Sequence, residues 1–169
     1  LGAPVGRRLP ASRLSGASRG ALVDGARPAL GCEARCSDRV LADRFVYHFR
    51  DPKRGEIIVF KTPPEAEVRC GAGGTFVKRL IGLPGDVVSE RSGFVYINGK
   101  QLNEPYIKPD RRDQEPPRTF PRVAAGHYFF MGDNRRQSCD SRSWGTVPRK
   151  NLIGEVFFVY WPPNRLGFR

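Results

Sequence analysis

Apolar runs of strand length, each cut off by proline or glycine, leave this chain little room for helices. EIIVFK (Glu56–Lys61) stops at Thr62-Pro63-Pro64, and TFVKRLIG (Thr75–Gly82) stops at Leu83-Pro84-Gly85-Asp86. IGEVFFVYW (Ile153–Trp161) stops at Pro162-Pro163. Proline cannot donate to a strand ladder, and glycine accepts the tight turns that strands need. VVSE (Val87–Glu90) and FVYING (Phe94–Gly99) read as a hairpin around Arg91-Ser92-Gly93, and HYFFMG (His127–Gly132) as a further strand. DRVLADRFVYHF (Asp38–Phe49) alternates apolar and polar residues, which predicts one strand running into a turn over Asp51-Pro52-Lys53-Arg54-Gly55. No long amphipathic helix and no internal repeat are present. The expected fold class is mainly β with little helix, built as a curled sheet or β-barrel-like arrangement.

The chain divides by composition. Residues 1–36 are rich in Arg, Ala, Gly and Ser, contain only Asp24 and Glu33 as acids, and lack apolar periodicity. They read as a leader: a transit-peptide remnant, a disordered tail or a wrongly assigned exon. Residues 37–169 read as one β domain, with an exposed insertion near 103–121 that holds five prolines and many charges. The chain begins at Leu1 and its one methionine is Met131, so the expectation is a fragment, a mature form or the product of an incompletely assigned gene.

A net charge of +12 points to an anionic partner: nucleic acid, an anionic membrane surface or acidic substrates. The arginines are scattered, and the aromatics sit in apolar runs such as VFFVYW that read as core. No nucleic-acid partner is therefore expected, whereas apolar runs with surplus arginine suit a lipid surface. No run reaches the roughly 18–20 apolar residues of a membrane-spanning helix. Cys32 and Cys36 have no histidine nearby, and His48 and His127 stand apart from each other and from cysteine pairs. No metal and no cofactor is expected. A disulfide between Cys70 and Cys139 is a pairing that the sequence leaves open.

Two segments carry chemistry. In FVKRLIGLPGD (Phe76–Asp86), Lys78 lies inside an apolar strand. By the strand alone it reads as an exposed lysine on a sheet edge. If buried, its ammonium form is penalised, and a neutral amine can act as a general base near neutral pH. MGDNRRQSCDSRSWG (Met131–Gly145) packs Ser138, Asp140, Ser141 and Arg142 into one polar loop, in which Asp140 and Arg142 can pair.

Taken together, these two segments resemble the type I signal peptidase family. FVKRLIGLPGD is similar to the family's lysine box, and GDNRRQSCDSRSWG to its final box, with Trp144-Gly145 following. VYINGKQLNEPYI, IGEVFFVYWPP and the upstream RVLADRFVYHFRDPKRGEIIVFK fit the same frame, so the resemblance covers about residues 38 to 163. YWPP and the Arg-rich leader lean toward the plastid or cyanobacterial (thylakoidal processing) branch. The resemblance implies a serine endopeptidase that removes signal peptides from translocated precursors by a Ser–Lys dyad. Lys78 is then the general base, Ser138 orients it, and Asp140 and Arg142 support the loop. The implied partners are signal-peptide-bearing precursors, bound by β-addition, and a membrane surface. The implied location is a chloroplast thylakoid or, failing that, the trans side of a bacterial-type cytoplasmic membrane.

One family element is not found. The nucleophile lies in a Ser-Met-x-Pro-Thr box shortly before a Gly-Asp-Arg turn, which here reads Ser37-Asp38-Arg39. Counting back places Ala29 where the serine is expected. Ser37 occupies the turn glycine's place, Cys32 and Cys36 lie close by, and Ser12, Ser15 and Ser18 fall in the unpatterned leader, so no nucleophile is identified. Three readings follow: a missing or wrong first exon of an active enzyme, an inactive relative, or a substitute residue elsewhere. A self-cleaving repressor-type protease shares the chemistry but needs a helix-turn-helix domain, which the leader does not offer.

Overall fold

The computed structural model describes residues 39–168, apart from residues 72 and 162. The leader, Ala29 and the candidate residues Ser12, Ser15, Ser18, Cys32, Cys36 and Ser37 all lie outside the described residues.

β1 (Arg39–Asp43) leads into a single helical turn, α1 (Val46–Phe49). β2 (Ile57–Lys61), α2 (Pro64–Cys70) and β3 (Thr75–Gly82) follow. Next come β4 (Val88–Arg91), β5 (Phe94–Ile97), β6 (Lys100–Gln101) and β7 (Arg118–Thr119). β8 (His127–Met131) precedes α3 (Ser141–Trp144), and β9 (Val147–Pro148), β10 (Leu152–Trp161) and β11 (Gly167–Phe168) complete the chain.

The larger sheet runs β1-β10-β2-β3-β8-β9, with β11 also on β10, and the smaller runs β6-β5-β4-β7. All pairs are antiparallel. The mainly β expectation holds. The larger sheet is open, ending at β1 and β9, and is not closed into a barrel.

β3 and β8 sit centrally, with a packed cluster on each face. One cluster gathers Ile58, Phe60, Phe76, Leu80, Phe130 and Trp144; the other gathers Ile81, Val88, Val95, Val123, Phe129 and Met131. Burial on both faces is why HYFFM reads as a continuous apolar run rather than an alternating one. Phe60 stacks on Phe130 at 4.4 Å between ring centroids. Each such fully buried side chain contributes about 1.5–3 kcal/mol from leaving water.

Two local expectations are corrected. The strand expected over 38–49 ends at Asp43. Asp43 Oδ1 accepts a bond from Phe45 N–H at 2.8 Å, and this side-chain acceptor turns the chain into α1. Thr62-Pro63-Pro64 does end β2, but it also opens a helix. Pro64 occupies the first turn of α2, where its missing N–H costs nothing, with Glu65 and Glu67 in the same turn. Gly71 ends α2 at φ 65°, a left-handed conformation natural to glycine. The expected hairpin is present, with Ser92 and Gly93 both at positive φ between Arg91 and Phe94.

Much of segment 103–121 is exposed, yet it is pinned at several points. Glu104 and Ile107 are buried, and Asp113 pairs with Arg118 and Arg142.

Candidate active site

Strand parity decides where Lys78 points. Phe76, Lys78 and Leu80 alternate on one face of β3, opposite Phe60 and Ile58 of β2. β3 lies between β2 and β8, so Lys78 is not an edge lysine. It is only 6% exposed. Its Nζ donates to Ser138 Oγ at 2.9 Å and stands 5.6 Å from the Phe76 ring centroid.

The other face of β3 holds the turn that delivers Ser138. Arg79 makes a two-pronged pair with Asp133, at 2.8 Å and 2.7 Å, and donates to Gly55 O at 2.7 Å. Its guanidinium also lies 3.9 Å from the Tyr106 ring centroid. These bonds fix Gly132-Asp133-Asn134 against the sheet. Ser138 N–H then closes the turn onto Asn134 O at 2.9 Å. Glycine at 132 is a steric requirement here: a Cβ would stand 2.6 Å from Ser138 Cβ and 3.4 Å from Lys78 Nζ.

Asp140 is fully buried and its carboxylate is saturated. Oδ2 accepts from Gly132 N–H at 3.0 Å and from Arg142 Nη2 at 2.9 Å. Oδ1 accepts from Arg142 N–H at 3.1 Å, as the cap of α3, and from Arg142 Nε at 2.9 Å. Burial alone would raise this carboxyl's pKa. The Arg142 charge and hydrogen bonds, the Gly132 amide and the Lys78 charge together hold it below the ordinary range. Arg142 is held protonated in turn, because Asp140, Glu90 and Asp113 outweigh its own desolvation. Arg142 also donates to the carbonyls of Arg135 at 2.7 Å and Ser138 at 3.3 Å. The structure thus brings Lys78, Ser138, Asp140 and Arg142 into one unit, although Lys78 lies far from the other three in sequence.

The sequence reading missed the outer part of this unit. Asp113 accepts from Arg142 and Arg118, tying segment 103–121 to the loop. Glu90 of β4 stands 3.5 Å from Arg142 and 3.1 Å from Arg118. Arg135, 1% exposed, pairs with buried Glu104 and donates to Gly132 O at 3.1 Å. Of the loop residues already singled out in the sequence, Ser141 Oγ accepts from Phe130 N–H at 2.9 Å, and Trp144 packs edge-on to Phe76. The signal available in the sequence was the density of Arg and acidic residues over 104–142, which reads as surface until the partners are seen. Cys70 and Cys139 are bonded, with Cα atoms 6.0 Å apart. Among the described residues, no group of three or more His, Cys, Asp or Glu side chains gathers as a metal site.

The family model described as signal peptidase, peptidase S26, matches residues 33–161. A protein named signal peptidase I from Leptolyngbya laminosa is 44% identical over 133 residues, covering 78% of this chain and 64% of its own length. Thylakoidal processing peptidase 1, chloroplastic, from Arabidopsis thaliana is 36% identical over 135 residues, covering 77% of this chain and 38% of its own length. Among solved structures, a signal peptidase I from Enterococcus faecalis matches with a TM-score of 0.50 at 33% identity, covering 63% of this chain and 97% of that one. The chain therefore spans less than two thirds of the length of these cyanobacterial and plant relatives.

Proposed function

Since the chain belongs to the signal peptidase (peptidase S26) family, we propose that residues 39–168 form the catalytic body of a signal peptidase that removes signal peptides from translocated precursors. Lys78 serves as general base, Ser138 orients its amine, and Asp140 and Arg142 hold the loop that carries Ser138. The observation carrying this reading is the 2.9 Å contact between a buried lysine amine and a serine hydroxyl. Lys78 packs beside Phe76 and opposite Ile58 with its amine held on a serine hydroxyl, a position from which a lysine can take a proton from a serine nucleophile. The amine then passes that proton to the leaving peptide nitrogen.

The nucleophile is a separate question, because the expected position is Ala29. Ala29 favours a second reading, a catalytically inactive homologue. One assay separates the two. A labelled precursor is incubated with the chain as it stands and with a version carrying a Ser-Met-x-Pro-Thr box begun by Ala29→Ser. The active reading expects cleavage by the second version, abolished by Lys78→Ala with the fold retained. Cleavage that survives Lys78→Ala would sink the assigned base. A full-length transcript that truly encodes Ala29, with no membrane anchor upstream, would favour the inactive reading.

The plant and cyanobacterial relatives support a thylakoidal or bacterial-type membrane location. No described helix is long and apolar enough to cross a membrane. Support for contact with a lipid surface comes from the apolar side chains left exposed around β1, α1, β10 and β11. These include Leu41, Phe45, Phe49, Tyr160 and Phe168.

A further inference from the structure

The geometry points to the Cys70–Cys139 disulfide as a redox-addressable clamp that holds Ser138 against Lys78. Three observations carry this. Cys139 directly follows Ser138, the residue whose Oγ accepts from Lys78 Nζ at 2.9 Å. Cys70 is the last residue of α2, which precedes β3, so the bond ties the approach to the Lys78 strand to the Ser138 loop across 69 residues of sequence. Both cysteines are only partly buried, and Cys70 is flanked by exposed Arg69 and Gly71.

The rest of the loop is held at its two ends. Asn134 O receives the turn's amides upstream, and Asp140 is locked by Gly132 and Arg142 downstream. Ser138 is the last residue of the upstream anchor, and Cys139 alone separates it from Asp140. The Ser138 N–H is tied to Asn134 O at 2.9 Å, but its carbonyl receives only a long 3.3 Å bond from Arg142, so the adjacent disulfide is the covalent restraint on its C-terminal side.

Opening the clamp requires a dithiol reductant. One thiolate of the reductant attacks Cys70 Sγ, the S–S bond breaks, and Cys139 leaves as a thiolate that takes a proton. The second thiol of the reductant then attacks the mixed disulfide and releases Cys70. The two cysteines gain two electrons and two protons, and the dithiol becomes a disulfide. The Asp140–Arg142 anchor and the sheets stay in place, while Ser138 is freed to move off the amine. The consequence for cleavage rests on the reading of Lys78 as base; the opening itself does not.

The test uses the full chain with Cys32 and Cys36 replaced by Ser, so that the remaining pair alone reports. The oxidised chain is compared with the chain reduced by dithiothreitol, the redox state being verified by thiol alkylation and mass. Amide hydrogen exchange is followed through 134–139 and through β2, β3 and β8, and Lys78 is labelled with a small amine-acylating reagent. Reduction is expected to speed exchange in 134–139 on the order of tenfold, with the three strands unchanged. Lys78 labelling is expected to rise several-fold. A Cys70→Ala/Cys139→Val chain is expected to show the reduced pattern without reductant and no response to it. Unchanged loop exchange in a verified dithiol state overturns the clamp. So does exchange that rises through the whole sheet, which would make the bond a global staple, and so do free thiols at Cys70 and Cys139 in the untreated protein. None of these readouts depends on peptidase activity, so failure of the clamp and failure of the peptidase reading are told apart.

Discussion

Replacing Asp140 by Asn tests how the buried loop is held. The carboxylate accepts four hydrogen bonds, two on each oxygen. An amide keeps one oxygen, which can retain the two bonds from Arg142 N–H and Nε. Its NH2 group would then face the Gly132 amide and Arg142 Nη2, donor against donor. Removing one partner of a buried pair costs about 3–5 kcal/mol when the survivor is left alone. Arg142 is not left alone, because Asp113 at 2.8 Å and Glu90 at 3.5 Å remain. The expected loss is therefore at the low end, about 3 kcal/mol. Urea unfolding at neutral pH measures it.

The same variant has a pH signature. Asp140's folded-state pKa lies below its ordinary value. Its contribution is thus present above the unfolded carboxylate pKa, about 3.9, and is lost as pH falls through the folded value. Asn cannot titrate, so Asp140→Asn should flatten the acid limb of the stability curve below about pH 4. A loss under about 0.5 kcal/mol, the ordinary range for surface changes, would refute the buried-anchor argument, as would an unchanged acid limb.

Other outcomes follow from the same geometry. Gly132→Ala puts a methyl 2.6 Å from Ser138 Cβ, so Ser138 must retreat; a stability loss of about 1–3 kcal/mol is expected in denaturant unfolding, with cleavage falling in any version that carries the serine box. Lys78→Met keeps the volume but leaves Ser138 Oγ without its amine donor, so it should cost about 1–3 kcal/mol by the same assay, with cleavage lost in any version that carries the serine box. Phe45→Ser with Phe49→Ser, both on exposed positions of α1 and its entry, should leave unfolding unchanged and weaken co-sedimentation with anionic liposomes; equal sedimentation would remove α1 from the lipid contact.

Much of the β architecture was legible in the sequence, because proline and glycine mark where strands end and the hairpin at Ser92-Gly93 needs only local chemistry. The break at Asp43 and helix α2 were not read. Asp43 sits in an alternating run whose pattern continues to Phe49, and only its side-chain bond to Phe45 N–H breaks the strand; Pro64 ends β2 and starts α2 at once. The parity of Phe76, Lys78 and Leu80 was present in the sequence as a sign that Lys78 shares the core face. Parity alone did not fix burial, since a lysine on the same pattern at an edge strand would reach water.

Local patterns were enough for the family-like pair of segments, the short strands and the chemical types available in the loop after β8. The resemblance to the family, not a local pattern, is what makes Ala29 the place where a serine is expected. The burial of Lys78 needed the assembled fold, because it depends on β3 lying between β2 and β8 rather than on the strand's own residues. Folding brought Ser138 to 2.9 Å from the amine across a separation of 60 residues. It also turned the charged residues Glu90, Glu104 and Asp113 from apparent surface into partners of Arg118, Arg135 and Arg142. Long-range ion pairs of this kind leave no periodicity in the chain, because nothing local fixes which arginine each carboxylate meets.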